Sequence, residues 1–152
     1  SMYNQKNNKI NENIANINYI YASKESIFTL IHQYLYETIV LEEKDLVKNL
    51  KEFILIELDH LEILGKYIYN AGVLPIFALQ NGLEEKYWHT NTIYYDDDKK
   101  TIVAINIELL QKIIGNLQIF YATVTEPNIK RIIKNIIRDG YKELNYFTKL
   151  PF

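Results

Sequence analysis

The sequence predicts an all-α fold: an antiparallel four-helix bundle with one long crossover between helices 2 and 3. Three observations carry this. Apolar residues recur at helical spacing in four long stretches. The link inside each successive pair of stretches is short, which makes each pair an antiparallel hairpin. The link between the pairs, residues 73–99, is long. About 27 extended residues at roughly 3.3 Å each can run back along a helix of about 24 residues, on the order of 36 Å.

The first stretch runs from Lys24 to about Glu43, with Ile27, Phe28, Ile31, Tyr34, Leu35 and Thr38 at helical spacing and Ser23 as N-cap. After the polar break Glu42-Glu43-Lys44-Asp45, a second helix carries Leu46, Leu50, Phe53, Ile54, Leu61, Leu64 and Ile68, and Ala71-Gly72 stops it. In the crossover, Pro75, Gly82, Tyr87-Trp88 and Asp96-Asp97-Asp98 break any long period. One short helical piece is expected near Phe77–Leu79. A third helix spans about Thr101 to Thr123, Pro127-Asn128 turns the chain, and a fourth runs from Ile129 to Thr148. Residues 23–150 are therefore read as the bundle. Residues 1–22 are read as an N-terminal extension, with Ile10, Ile14, Ile17 and Tyr21 hinting at an amphipathic segment.

Composition narrows the function. The 152 residues suit one domain, large enough to bury about 70% of its unfolded surface without staples. The absence of Cys excludes disulfides, thiolate zinc sites, iron–sulfur clusters and a Cys nucleophile. A net charge of -2 gives no footprint for nucleic acid. No apolar run approaches the length of a membrane span, and the Asn-rich start has no signal-peptide core, so a cytoplasmic protein is expected.

The two hairpins repeat. Glu25–Glu57 laid over Glu108–Gly140 without a gap matches Glu25 to Glu108, Glu43 to Glu126, and Asp45 to Asn128, both read as N-caps. This register exposes a candidate metal site. Glu57 and His60 form Glu-x-x-His, whose i, i+3 spacing sets a carboxylate and an imidazole on one helix face. Glu25 lies on the antiparallel partner, and Glu108 is its repeat mate. A four-helix carboxylate site takes Glu from one helix of each hairpin and Glu-x-x-His from the other. In the second hairpin Glu57 maps to Gly140 and His60 to Glu143, so the expected set is Glu25, Glu57, His60, Glu108 and Glu143. Oxygen-rich ligation favours Mn or Fe over Zn or Cu. Asp139, about 100° around the helix from Gly140, is not expected among the ligands. His32 is read as a hydrogen-bonded core histidine, His89 as a loop residue, and the Asp96–Asp98 run as a solvated turn.

These residues resemble the ferritin-like superfamily, in its rubrerythrin and manganese-catalase-like branch. The resemblance covers about Glu25 to Phe147. It rests on Glu25, Glu57-Leu-Asp-His60-Leu-Glu-Ile-Leu, the Tyr87-Trp88 loop, Ile105-Asn-Ile-Glu108 and Ile136-Ile-Arg-Asp-Gly-Tyr-Lys-Glu143. In the last stretch Gly140 and Glu143 stand where the family pattern has Glu and His. The resemblance implies two Mn or Fe ions per chain, with one ion or none if the second half-site is dead. Glu57 would bridge them, Glu25 and His60 would hold the first, and Glu108 and Glu143 the second. It also implies a small-molecule oxidant, hydrogen peroxide or dioxygen, and catalase-, peroxidase- or ferroxidase-like chemistry. A homo-oligomer is expected, with no nucleic-acid or membrane partner. The alternative is a non-catalytic structural protein with a relic metal site, of the kind found in spore coats, for which the 13 Tyr would matter.

Overall fold

In a computed structural model, residues 10–82 and 84–152 are described; the part of the N-terminal extension before residue 10 lies outside them. Among these residues the chain forms five α-helices and one small β-hairpin.

Helix α1 (Glu12–Ala22) begins at Asn11, whose side chain accepts a hydrogen bond from the Ile14 amide. It buries Ile14, Ile17, Ile20 and Tyr21, the helical face hinted at by the sequence, into the same core as the other helices. Helix α2 (Ile27–Val40) starts later than expected. Ser26 caps it by accepting from the Thr29 amide, whereas Ser23 ends α1 by donating its backbone N–H to Tyr19. Lys24 and Glu25 therefore lie in the turn between two helices.

Helix α3 (Lys44–Asn70) stops where the sequence places its stop. Gly72 takes a left-handed φ of 89°, its amide donates to Tyr69 O, and Val73 N donates to Ile68 O. This pair of hydrogen bonds closes the helix end, and the buried side chains of Val73 and Ile68 seal it.

The crossover differs from expectation. The piece near residues 77–79 is strand β1 (Ala78–Gln80), paired antiparallel with β2 (Glu85–Tyr87). Gly82, at φ 89°, turns the loop between them. Buried Asn18 of α1 clamps the hairpin, donating to Ala78 O at 2.9 Å and accepting from Gln80 N at 2.6 Å. Three-residue strands are too short for an apolar period to reveal.

Helix α4 (Lys99–Thr123) is capped by Asp98, which accepts from the Thr101 amide. It is long and apolar enough to cross a membrane by length and composition, with a mean hydropathy of 1.3 over its most apolar 18 residues. Here its stripe of Val103, Leu110, Ile113 and Leu117 packs inside the bundle. Helix α5 (Pro127–Thr148) opens with Pro127 in its first turn.

The repeat holds across both turns. Val40 to Thr123 and Lys44 to Pro127 are the same step of 83 residues. Leu41 and Val124 end the first helices with nearly the same extended backbone, and Glu43 and Glu126 stand before the second ones. The capping residues are thus Glu43 and Glu126 rather than Asp45 and Asn128. Neither caps through its side chain: Glu43 pairs with Lys99, and Glu126 accepts from Tyr67. The hairpins α2–α3 and α4–α5 stack so that α2 meets α4 and α3 meets α5.

Candidate metal centre

The α3–α5 contact sets ligand-type side chains against one another. Glu57 and His60 come from one face of α3 at i, i+3. Asp139 and Glu143 come from one face of α5 at i, i+4. His60 Nε2 lies 2.6 Å from Asp139 Oδ2 and 4.0 Å from Glu57 Oε1. Tyr34 of α2 donates its hydroxyl to Glu143 Oε1 at 2.8 Å. Glu57 and Glu143 are 1% and 0% exposed, so no solvent reaches them directly. Asp139, its side chain 17% exposed, forms the rim and pairs with Arg138.

The electrostatics follow from this burial. Glu57 is held well above the usual carboxylate range, chiefly by desolvation and then by the charges of Glu143 and Asp139. Burial pushes Glu143 up to about 8, against the Tyr34 hydrogen bond, which holds it down. Tyr34, buried and facing Glu143, is itself pushed well up. Glu57 Oε1 and Glu143 Oε2 are buried without a hydrogen-bond partner among the described residues.

Of the five expected ligands, the structure thus brings together Glu57, His60 and Glu143. Glu25 and Glu108 stand elsewhere. Glu25 is in the α1–α2 turn, where Tyr19 donates to it, because Ser26 rather than Ser23 starts α2. Glu108 is on the outer face of α4, paired with Lys112 at 3.1 Å, because the buried stripe runs through Asn106 and Leu110. The two carboxylates do share a place: they line a surface groove of about 450 Å³ between α2 and α4, beside Lys24 and Lys112.

A two-ion centre does not fit the residues present. At Gly140, where the resemblance puts the second bridging Glu, a Cβ would meet Ile114 Cγ1 at 3.1 Å and Cδ1 at 3.3 Å. Any side chain grown from this position must first displace Ile114. On α2 the inward face carries Ile27, Leu30, Ile31 and Tyr34 before any carboxylate is reached.

Sequence reasoning missed two things here. Asp139 shares a face with Glu143, a spacing of four residues that was in view. Glu37 follows Tyr34 by three residues on the buried stripe of α2 and is 0% exposed. It accepts from Asn106 Nδ2 at 2.7 Å and Gln33 Nε2 at 3.0 Å, while Gln33 also exchanges two hydrogen bonds with the Tyr94 backbone. Burial pushes Glu37 up to about 8 despite both donors. This second polar cluster ties the end of the crossover to α2 and α4. His32 is half-buried, bonded to Phe28 O and packed on Phe28 and Trp88. His89 is an exposed loop residue.

No protein-family model and no curated protein matches the sequence. Among solved structures, the chain is similar to KatB, a manganese catalase from Anabaena PCC7120, with a TM-score of 0.81 and 15% identity over 90% of this chain and 70% of that one. A crystal structure of wild-type KatB from Anabaena gives a TM-score of 0.78 at the same identity and coverage. At this identity the likeness shows the fold: all-α and ferritin-like, as in these manganese catalases.

Proposed function

We propose that the chain is a non-catalytic member of the ferritin-like fold, a structural or assembly component that does not run two-metal peroxide chemistry. The likeness to manganese catalases supports a metal- and peroxide-related origin for the bundle. The observation that carries the non-catalytic reading is the packing of Ile114 against Gly140, which sets hydrocarbon where the resemblance puts a bridging carboxylate. Glu25 and Glu108, in their surface groove, do not supply the missing charge.

The rival reading, a Mn or Fe oxidoreductase acting on peroxide or dioxygen, draws on the convergence of Glu57, His60 and Glu143. The deciding experiment loads the protein with Mn(II) or Fe(II) and follows hydrogen peroxide consumption. The expected rate equals that of the free metal. Two bound ions per chain, with peroxide turnover abolished by Glu57→Gln, would overturn the proposal.

A further inference from the structure

One carboxyl group holds the end of the crossover to two helices. Gln33 of α2 grips the backbone of Tyr94, donating to its carbonyl at 3.1 Å and accepting from its amide at 2.9 Å. The same side-chain nitrogen donates to Glu37 Oε2 at 3.0 Å, so Glu37 fixes the orientation of the grip. Asn106 of α4 donates to the other oxygen at 2.7 Å. Little else holds this stretch. Ile93 is buried and Tyr95 packs edge-on against Tyr36, but Tyr94 and Tyr95 are 63% and 61% exposed.

Charge at this corner has one sign. The ionisable groups whose charge bears on it are Tyr34 and Tyr36 of α2, Tyr95, Asp96 and Asp97 of the crossover and, on the far side of Tyr34, Glu57 of α3 and Glu143 of α5. From α4 comes the amide of Asn106, while Lys99 at the start of that helix pairs with Glu43. Among the described residues no cation pairs with Glu37.

We propose that residues 90–98 form a pH-sensitive strap, shut over α2 and α4 while Glu37 keeps its proton and released from Gln33 when the proton leaves. A buried carboxylate without a cation is costly until water reaches it. Gln33 lines the groove of about 450 Å³ between α2 and α4 and Glu37 does not, so turning that amide aside admits groove water to the carboxylate. The new charge repels Asp96 and Asp97 and carries the strap outward. The apolar core does not run through Tyr94 or Tyr95, so the bundle stays folded. Glu37 binds its proton more tightly here than in water, so the strap is shut at low pH and released as pH rises.

The inference goes beyond the non-catalytic reading and does not depend on it. The full chain and Glu37→Gln are cut briefly with chymotrypsin side by side, so that the protease's own pH dependence cancels, and cleavage after Tyr94 and Tyr95 is measured by mass spectrometry. With Glu37 pushed up to about 8, its ionised fraction rises about tenfold from pH 7 to pH 9. Cleavage of the parent relative to the variant should rise by about the same factor, at constant far-ultraviolet helicity. Gln33→Ala removes the grip but not the carboxyl group, and should be cut fast at both pH values with no step; it serves as the reference if Glu37→Gln does not fold. A ratio that stays constant from pH 7 to pH 9 overturns the inference. So does a loss of helicity in step with cleavage, which would mean that the whole bundle opens rather than the strap.

Discussion

If Ile114 is packed tightly against Gly140, a methyl group added there must push it aside. Gly140→Ala therefore pits two effects against each other. Replacing a helix-interior glycine with alanine stabilises by about 1 kcal/mol. The new Cβ would stand 3.1 Å and 3.3 Å from Ile114 Cγ1 and Cδ1, several tenths of an ångström inside ordinary carbon contact. Overpacking of this kind costs about 1–3 kcal/mol. The net result should be a loss of about 0–2 kcal/mol. In an Ile114→Ala background the contact is gone, and the same Gly140→Ala change should gain about 1 kcal/mol. The double-mutant cycle then reads a coupling of about 1–3 kcal/mol. Gly115→Ala, one residue from Ile114 in the chain but with nothing within 4 Å of its added Cβ, is the control and should gain about 1 kcal/mol in either background. The assay is urea unfolding, compared through midpoints at constant slope. If Ile114→Ala unfolds the protein, Ile114→Val still removes the 3.3 Å contact and should show a smaller coupling of the same sign. Additivity within about 0.5 kcal/mol would refute the packing argument, and with it the observation on which the non-catalytic reading rests.

Three further outcomes are expected. Glu37, raised from its ordinary 4.5 to about 8, binds its proton more tightly folded than unfolded, so its contribution is fully present below pH 4.5 and lost as pH rises toward 8. Across that window stability should fall by up to about 4–5 kcal/mol, and Glu37→Gln should flatten the profile by that amount in pH-dependent unfolding. An unchanged slope would mean that Glu37 is not sealed from water. Glu25→Gln with Glu108→Gln, both away from the core cluster, should alter stability by less than about 0.5 kcal/mol and leave the pH profile alone; a flattened profile would mean that these carboxylates reach the core. Asn18→Ala leaves Ala78 O and Gln80 N without their clamp, and should cost about 2–3 kcal/mol and open the crossover to limited proteolysis.

The bundle was legible because its largest signals are repetitive. Helix periods, the two short turns and the offset of 83 residues all survive in the structure, down to the matching positions where α2 and α4 end and α3 and α5 begin. The site was half legible for a related reason. Glu57 and His60 sit on a helix whose phase is fixed by many apolar residues, and Glu143 sits opposite on another. The errors fell where a polar residue interrupts the buried stripe. Asn106 on α4 and Glu37 on α2 are fully buried, and a reading that seeks apolar positions steps past both of them. Glu108 entered as the repeat mate of Glu25, and it lies two residues beyond Asn106, about 200° around the helix, on the outer face. Glu25 stands in a turn rather than on a helix through a local ambiguity: Ser23 and Ser26 are equally good caps, and only the packing of α1 assigns Ser23 to the helix before it.

The two polar clusters of the core also differ in what they do for the fold. Glu37 has both oxygens bonded, and its partners reach across to Asn106 of α4 and, through Gln33, to the backbone of Tyr94. It positions three parts of the chain and accounts for itself structurally. Glu57 and Glu143 position little. One hydroxyl reaches them, two oxygens remain unpaired, and leucine or methionine would fill the same volume without a desolvation penalty. A fold that had merely closed over an old centre would carry hydrocarbon throughout this layer. Closure alone explains Ile114, which is apolar and buried. It gives no reason for a Glu-x-x-His face and an Asp-x-x-x-Glu face to meet in an otherwise apolar interior, with Arg138 beside the one carboxylate at the rim.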